Sequence, residues 1–263
     1  MPTRSWYHPP RLALEGRRML VQKDSFILSF QRRSGFNTVT ITSEIDSILE
    51  DYERVNHVIS FFQDERARRR GLEEVGRTSG LGLELGSGPG NFTRMLRPYM
   101  EGPLICLDFS ELMLDSSRRA LRASDLHRVR GVFEDLPFRS RVFSLTASAY
   151  ALRDSTEKVR ALREARRTQG LGGKTLLVDV GKPSNPVVRG FLTLYMRYLM
   201  PFLGGYVAGY SYPNPWVFLY ETFALLPMNR ALLRLMKEIF GRARLKELAF
   251  GGLVVATAEK TRS

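Results

Sequence analysis

A single cysteine, Cys106, is all that 263 residues contain, and one thiol excludes an internal disulfide. It lies within Pro103-Leu104-Ile105-Cys106-Leu107, an apolar run in which a free cysteine behaves as a small buried hydrophobe. No cysteine or histidine cluster at metal-ligand spacing accompanies it, so no metal site is expected. Acidic residues are scarce: 27 Asp and Glu stand against 40 Lys and Arg, leaving a formal net charge of +13 and a pI near 10.2. Internal repeats and low-complexity tracts are absent. Arg4, Arg11, Arg17 and Arg18 interrupt the first 25 residues, so no secretory leader is read there, and the expected setting is cytoplasmic. A long apolar run is missing as well. The richest stretch, residues 187–220, is cut by Arg189, Arg197, Pro201, Gly204 and Gly205, whereas a spanning helix needs about 20 apolar residues in succession.

What remains is ordinary globular material. A hydrophobic content of 43% suits one large α/β domain or, less well, two small ones. The positive charge is mostly arginine and is spread along the chain, with one dense run at Arg66-Ala67-Arg68-Arg69-Arg70. That run lacks the interleaved aromatics that a single-strand groove uses, so nucleic acid is not the expected partner. It reads either as a solvated helix face or as a patch for anionic membrane. The 187–220 stretch is likewise open to two readings. It is a core helix, or a surface helix that bounds a pocket for a greasy substrate and touches the bilayer.

The chain is organised around Leu81-Gly82-Leu83-Glu84-Leu85-Gly86-Ser87-Gly88-Pro89-Gly90. An apolar strand runs into alternate glycines, and Asn91-Phe92-Thr93-Arg94-Met95-Leu96 then reads as a helix. Glycines allow the sharp reversal and leave room for a ligand against the backbone, while the helix start offers free N–H groups. Glu84 precedes the first of these glycines, and Asp108, followed by Phe109, ends the next apolar run. An acid about 20 residues past a glycine turn is placed to bond ribose hydroxyls.

From there strands at 81–86, 103–108, 128–133, 142–149 and 174–180 alternate with helices at 91–100, 110–122 and 156–168. Leu245–Phe250 and Leu253–Ala258, joined by Gly251-Gly252, read as a closing antiparallel pair. The alternation predicts a mostly parallel seven-stranded sheet with helices on both faces. Ligands of such sheets lie beyond the carboxyl ends of the strands, where the glycine turn, Asp108, Val132-Phe133 and Ala149-Tyr150 fall. Gly173-Lys174-Thr175 is not the end of a phosphate-binding loop, because residue 168 is Thr where that loop requires glycine and the segment leads into a strand.

Residues 1–45 differ in character and form a separate N-terminal extension. Phe26–Phe30 and Asn37–Ile41 around Arg32-Arg33-Ser34-Gly35 read as a β-hairpin. Residues 46–263 form the main domain. Ser43 and Asp46 signal a helix start, and Ile45, Ile48, Leu49, Tyr52, Val55, Asn56 and Ile59 follow at helical spacing. Tyr52 and Asn56 put two polar groups on one face of that helix.

The E-x-G-x-G-x-G pattern resembles the first motif of Rossmann-like class I S-adenosylmethionine methyltransferases. More specific segments resemble the ubiquinone/menaquinone-biosynthesis C-methyltransferase family of the UbiE type. Tyr52-Glu53-Arg54-Val55-Asn56-His57-Val58-Ile59-Ser60-Phe61 is similar to its Y-D-x-x-N-x-x-x-S-F, and Glu134-Asp135-Leu136-Pro137-Phe138 to its E-x-L-P-F. Tyr150-Ala151-Leu152-Arg153-Asp154 resembles F-G-L-R-N, and Arg160-Ala161-Leu162-Arg163-Glu164 its A-L-R-E helix. Asp179-Val180-Gly181-Lys182-Pro183 resembles E-F-S-K-P, Tyr210-Ser211-Tyr212 its Y-x-Y, and Gly251–Ala256 its terminal G-G-I-V-A. The resemblance spans about residues 46–260 and leaves out the extension. Departures are Val132 and Phe133 at the adenine, Asp154 for the usual Asn, and Gly181 for the usual Ser.

The resemblance implies a methyltransferase that uses S-adenosyl-L-methionine to methylate a ring carbon of a polyprenylated quinol. Glu84, Gly86, Ser87, Gly88, Pro89, Gly90, Asp108, Phe109, Val132, Phe133 and Ala149 are then the cofactor contacts. Arg153, Asp154 and Tyr52 are the catalytic candidates. A ring carbon becomes nucleophilic when its neighbouring hydroxyl is deprotonated, and a permanently charged guanidinium suits the resulting phenolate. Arg153 is therefore cast as phenolate stabiliser, Asp154 as proton acceptor directly or through water, and Tyr52 as a closure of the cofactor pocket. The plainer readings make Arg153 a surface ion-pair partner and Asp154 an N-cap for the 156–168 helix. An isoprenoid quinol is the implied substrate, with peripheral contact to an anionic membrane at its inner face and a homo-oligomer left open. Other readings are a methyltransferase of RNA or of another small molecule, and a cofactor-binding protein without catalysis.

Overall fold

The computed structural model describes residues 51–212 and 214–261. The predicted hairpin at 26–41, the Ser43 cap and the boundary after residue 45 lie outside the described residues.

Seven strands form one sheet: Gly82–Leu85 (β1), Leu104–Asp108 (β2), Leu126–Arg130 (β3), Phe143–Ala149 (β4), Gln169–Val180 (β5), Gly241–Leu248 (β6) and Leu253–Lys260 (β7). Their order is β3-β2-β1-β4-β5-β7-β6, and β7 alone runs against its neighbours β5 and β6. This is the expected class I arrangement, with the antiparallel pair at its C-terminal edge. Every residue of β1 is buried, as a central parallel strand covered on both faces requires.

Helices cover both faces. Gln63–Val75 (α2) and Asn91–Leu96 (α3) close one side, where Ala67, Leu72, Val75, Phe92 and Leu96 pack on Leu104, Leu145, Leu176 and Val178. Glu111–Ala120 (α4) is capped by Ser110, whose hydroxyl accepts the Met113 N–H. Lys158–Thr168 (α5) and Asn229–Phe240 (α9) close the other side through Leu162, Ala165, Leu232, Met236 and Phe240. A third cluster, with Trp216 at its centre, sits over the carboxyl edge. It joins Tyr52–Ile59 (α1), Pro186–Leu194 (α6), Met200–Ala208 (α7) and Phe218–Ala224 (α8).

Several boundaries differ from the sequence reading for local reasons. The helix expected at 91–100 stops at Leu96 and tightens into one turn at Arg97–Tyr99, where Pro98 supplies no N–H. The third strand ends at Arg130, not 133, because Val132 turns back and pairs with Asp135. The fifth strand starts at Gln169 through an irregular pairing with Phe143. The 187–220 stretch is not a core helix. Its chain runs α6, a wide π-turn at Tyr195–Leu199, then α7, with no buried residue in α6 and with Phe191 71% and Phe202 63% exposed. The arginine run lies on α2, where Arg69 and Arg70 face outward beside Glu65, Glu73 and Glu74 while Arg68 turns inward.

Candidate active site

The glycine turn joins β1 to α3. The N–H groups of Gly86 and Ser87 donate to the Leu107 carbonyl at 2.8 and 3.0 Å. The Asp108 carboxylate at the end of β2 accepts the Gly88 N–H at 2.8 Å and the Ser110 N–H at 3.0 Å. Gly86 has φ +69, and a Cβ there would come within 2.3 Å of the Ala151 Cβ and 3.0 Å of the Phe133 ring. Gly88 has φ +53, and a Cβ there would meet nothing within 4 Å. The first glycine is thus needed for close packing, and the second borders open space against a bare backbone.

Among the described residues, three buried polar side chains about this turn find no hydrogen-bond partner: Glu84 through both carboxylate oxygens, Ser87 and Thr93. Thr93 is close enough to Glu84 to favour its charged form without a hydrogen bond of ordinary geometry. Burial, reinforced by Asp108, pushes the Glu84 carboxyl up to about 8 against the pull of Thr93 and Arg68. An orphaned carboxylate beside an open backbone cradle fits a small ligand that carries a cationic head.

The remaining predicted contacts lie at or just past the ends of neighbouring strands. The Phe109 ring lies under the Arg130 guanidinium at 5.2 Å, and Arg130 Nε donates to the Phe109 carbonyl at 3.0 Å. Phe133 reaches Gly86. Val132 stands beyond the third strand in its pairing with Asp135, and Ala149 ends β4.

Beyond Ala149 the chain enters the wall of a second space. Tyr150 has φ +59, an unusual conformation for a bulky residue, and its hydroxyl donates to the Asp64 carbonyl at 3.3 Å. It borders a cavity of about 270 Å³ under the Trp216 cluster. Ile59, Phe61, Val180, Leu192, Met196 and Leu253 make its walls apolar. Its polar side carries Asn56, Ser60, Gln63, Asp64, Arg68 and Arg153. Tyr195 also lines it, and its hydroxyl donates to the Ile59 carbonyl.

Of the catalytic candidates, Arg153 reaches this cavity and is 6% exposed, so it is not a surface ion-pair partner. Its Nε lies 3.5 Å from Asp154 Oδ1, and its backbone N–H donates to Asp179 Oδ2 at 3.2 Å. Asp154 does not line the cavity. Burial raises its carboxyl above the usual range against Arg153, Lys158 and Thr222. Asp154 does not cap the helix either: Glu134 does, accepting from the Ser155 and Thr156 hydroxyls and the Glu157 N–H at 2.6, 3.3 and 3.1 Å. Burial also pushes Asp179 up to about 6. Tyr52 begins α1, but its side chain lies outside the described residues.

The sequence reading missed a network on the opposite wall. Asp64 accepts from Ser60 Oγ at 2.8 Å and from Arg68 Nη1 at 2.9 Å, and lies 3.1 Å from His57 Nδ1. Burial works to raise the Asp64 carboxyl, but His57, Ser60 and Arg68 together hold it below its ordinary value. Arg68 also crosses the Tyr150 ring at 5.0 Å. The available signal was the i, i+4 spacing of Asp64 and Arg68 beside the small residues Ala67 and Gly71, which marks an inward helix face. Among the described residues, no group of three or more His, Cys, Asp or Glu is arranged to hold a metal ion.

Comparison with known proteins bears on the family and the fold. The model of the ubiE/COQ5 methyltransferase family matches residues 34–260. A demethylmenaquinone methyltransferase of Lactococcus lactis is 30% identical over 174 residues, covering 64% of this chain and 69% of its own. One from Staphylococcus saprophyticus is 29% identical over 211 residues, covering 78% and 88%. Among solved structures, an S-adenosylmethionine-dependent methyltransferase of Thermotoga maritima, a possible histamine N-methyltransferase, superposes with a TM-score of 0.61 at 16% identity, covering 84% of this chain and 99% of its own. At that identity the superposition speaks for the fold alone.

Proposed function

We propose, because the chain belongs to the ubiE/COQ5 methyltransferase family, that its cavity receives the ring of a polyprenylated quinol of the menaquinone type for C-methylation. The chain is an S-adenosylmethionine-dependent methyltransferase acting in quinone biosynthesis. The observation that carries the substrate reading is an apolar cavity with two guanidinium groups, Arg68 and Arg153, on its polar side. A flat aromatic ring suits the walls, and a phenolate oxygen suits the guanidinium fork.

Glu84, the Gly86–Gly90 backbone and Asp108 hold the cofactor, which supplies an electrophilic methyl group. The chain's own residues align and desolvate the quinol. Arg153 stabilises the phenolate, its backbone fixed by the Asp179 carboxylate. The Trp216 cluster excludes water above the ring. A cavity of about 270 Å³ takes a fused two-ring head but not a chain of several isoprene units, so the tail leaves it past Phe61, Leu192 and Tyr195. Outside stand Phe191, Leu194, Tyr198, Leu199, Phe202 and Tyr206, all exposed. Arg197 lies over the Tyr198 and Tyr220 rings. With a net charge of +13, this face suits anionic lipid, from which the tail need not fully depart. No helix among the described residues is long and apolar enough to cross a membrane.

The test incubates the purified protein with S-adenosylmethionine bearing a labelled methyl group and with demethylmenaquinol, with and without its tail. A labelled methyl on the ring carbon, located by mass spectrometry, is the expected product. Methylation of a hydroxyl oxygen, or no turnover, overturns the reading.

A further inference from the structure

Replacing a ring C–H by C–CH₃ releases one proton overall, and a proton also leaves the ring hydroxyl when the phenolate forms. The cavity must therefore contain an acceptor. Among the described residues, five titratable side chains line it: Asp64, Arg68, Tyr150, Arg153 and Tyr195. The two arginines remain protonated. Burial pushes Tyr150 far above its ordinary range and Tyr195 up to about 12, so both keep their protons. Among the described side chains, that leaves one ionised acceptor facing the substrate space.

We infer that Asp64 accepts the quinol proton and that His57 carries it out of the cavity. The inference rests on the quinol reading above. The geometry is that of a relay between an inner and an outer station. Asp64 is 3% exposed and borders the cavity. His57 lies behind it, 3.1 Å away through Nδ1, and its side chain is 25% exposed. Ser60 donates to the same Oδ1 at 2.8 Å, while Arg68 holds Oδ2 at 2.9 Å. The carboxylate is thus fixed on both oxygens, with the imidazole and the guanidinium on different ones. The quinol O–H bond breaks and a carboxyl O–H bond forms. That proton passes to imidazole nitrogen, and imidazole exchanges it with water. The carboxylate, so restored, takes the proton lost from the ring carbon and returns it to the phenolate oxygen of the product, so that one proton leaves in all.

A depressed carboxyl is a weak base, which is why the second station matters. Asp64 holds the proton in passing, and the partly exposed imidazole hands it on to water. Arg68 meanwhile presents an Nε–H without a partner among the described residues, available to the phenolate that remains. This assigns proton transfer to the α1–α2 wall and leaves Asp154, outside the cavity, to position Arg153.

The test uses the full-length protein, Asp64→Asn, His57→Asn and a series of tail-less quinols whose ring hydroxyls grow more acidic by substitution. Wild type must first methylate the series, which checks the quinol reading separately. Asp64→Asn is expected to lower the single-turnover rate about 10²–10⁴-fold at unchanged cofactor affinity, with the deficit shrinking as the hydroxyl becomes more acidic. His57→Asn should show a smaller deficit with the same trend. A second readout is the solvent isotope effect: wild type should turn over more slowly in D₂O, and this slowing should change in each variant. If Asp64→Asn melts early because Arg68 loses its partner, His57→Asn carries both measurements. A deficit equal for all substrates, or an isotope effect identical in wild type and variants, overturns the inference.

Discussion

At the scale of single residues, Glu84 couples stability to pH. Its folded pKa of about 8 lies above the ordinary carboxyl value near 4.3. The folded state therefore binds the proton more tightly, and this contribution is present below about pH 4.3 and is lost as pH rises through 8. Glu84→Gln removes the penalty. The ligand-free variant should be more stable than wild type by about 1–3 kcal/mol at pH 8, with the difference vanishing near pH 4. Cofactor affinity should fall, and calorimetry in buffers of different ionisation enthalpy should no longer detect the proton released on binding. Equal stability at pH 8 would mean that the carboxylate has a partner in solution. Arg153 gives the complementary case. Arg153→Lys keeps the charge but not the fork, so turnover should fall about 10²-fold while cofactor affinity, measured by calorimetry, stays the same. The glycine turn and Asp108 were legible in sequence because backbone demands restrict residue type. Asp64 and His57 were not, since a helix with alternating charge reads as solvated until its inward face is known. Asp154 faces the Arg153 guanidinium at 3.5 Å and not the cavity, a placement that adjacency in sequence leaves open.

Among elements, the two turns of chain around Tyr195–Leu199 separate what periodicity could and could not reveal. Strands β1, β2 and β4 end within a residue or two of their expected positions, because short apolar runs bounded by glycine or acid have little freedom. Helix α9 was not foreseen, although Leu232, Leu235, Met236 and Phe240 follow helical spacing, since a polar start without a cap gives no signal. Segment α6–α7 is apolar on both sides, so its pattern could not distinguish core from surface. Its inner side meets Trp216, and the outer side chains Phe191, Leu194 and Phe202 are exposed among the described residues. Replacing Phe191, Leu194 and Phe202 by Ser should leave the melting temperature within about 2 °C, since exposed substitutions cost little. The same variant should lose flotation with anionic liposomes and lose activity on tailed quinols more than on tail-less ones. A large drop in melting temperature would show that the face is covered by chain.

On the scale of the whole molecule, the sheet order β3-β2-β1-β4-β5-β7-β6 collects the carboxyl ends of β1, β2, β4 and β5 into one edge, and both sites open there. That convergence was legible from the alternation of elements. The lid that makes the second site was not, because its pieces come from residues 52–60 and 186–226 and meet only in three dimensions. The bond from Gly88 to Asp108 has a consequence for time as well as for shape. It ties the cradle to the neighbouring strand before any ligand arrives, so capture is a single collision with a prepared surface. The observed rate in stopped-flow fluorescence should rise in proportion to cofactor concentration without levelling off. In Asp108→Ala the cradle must first find its shape, and the rate should reach a plateau set by that search, independent of how much cofactor is supplied.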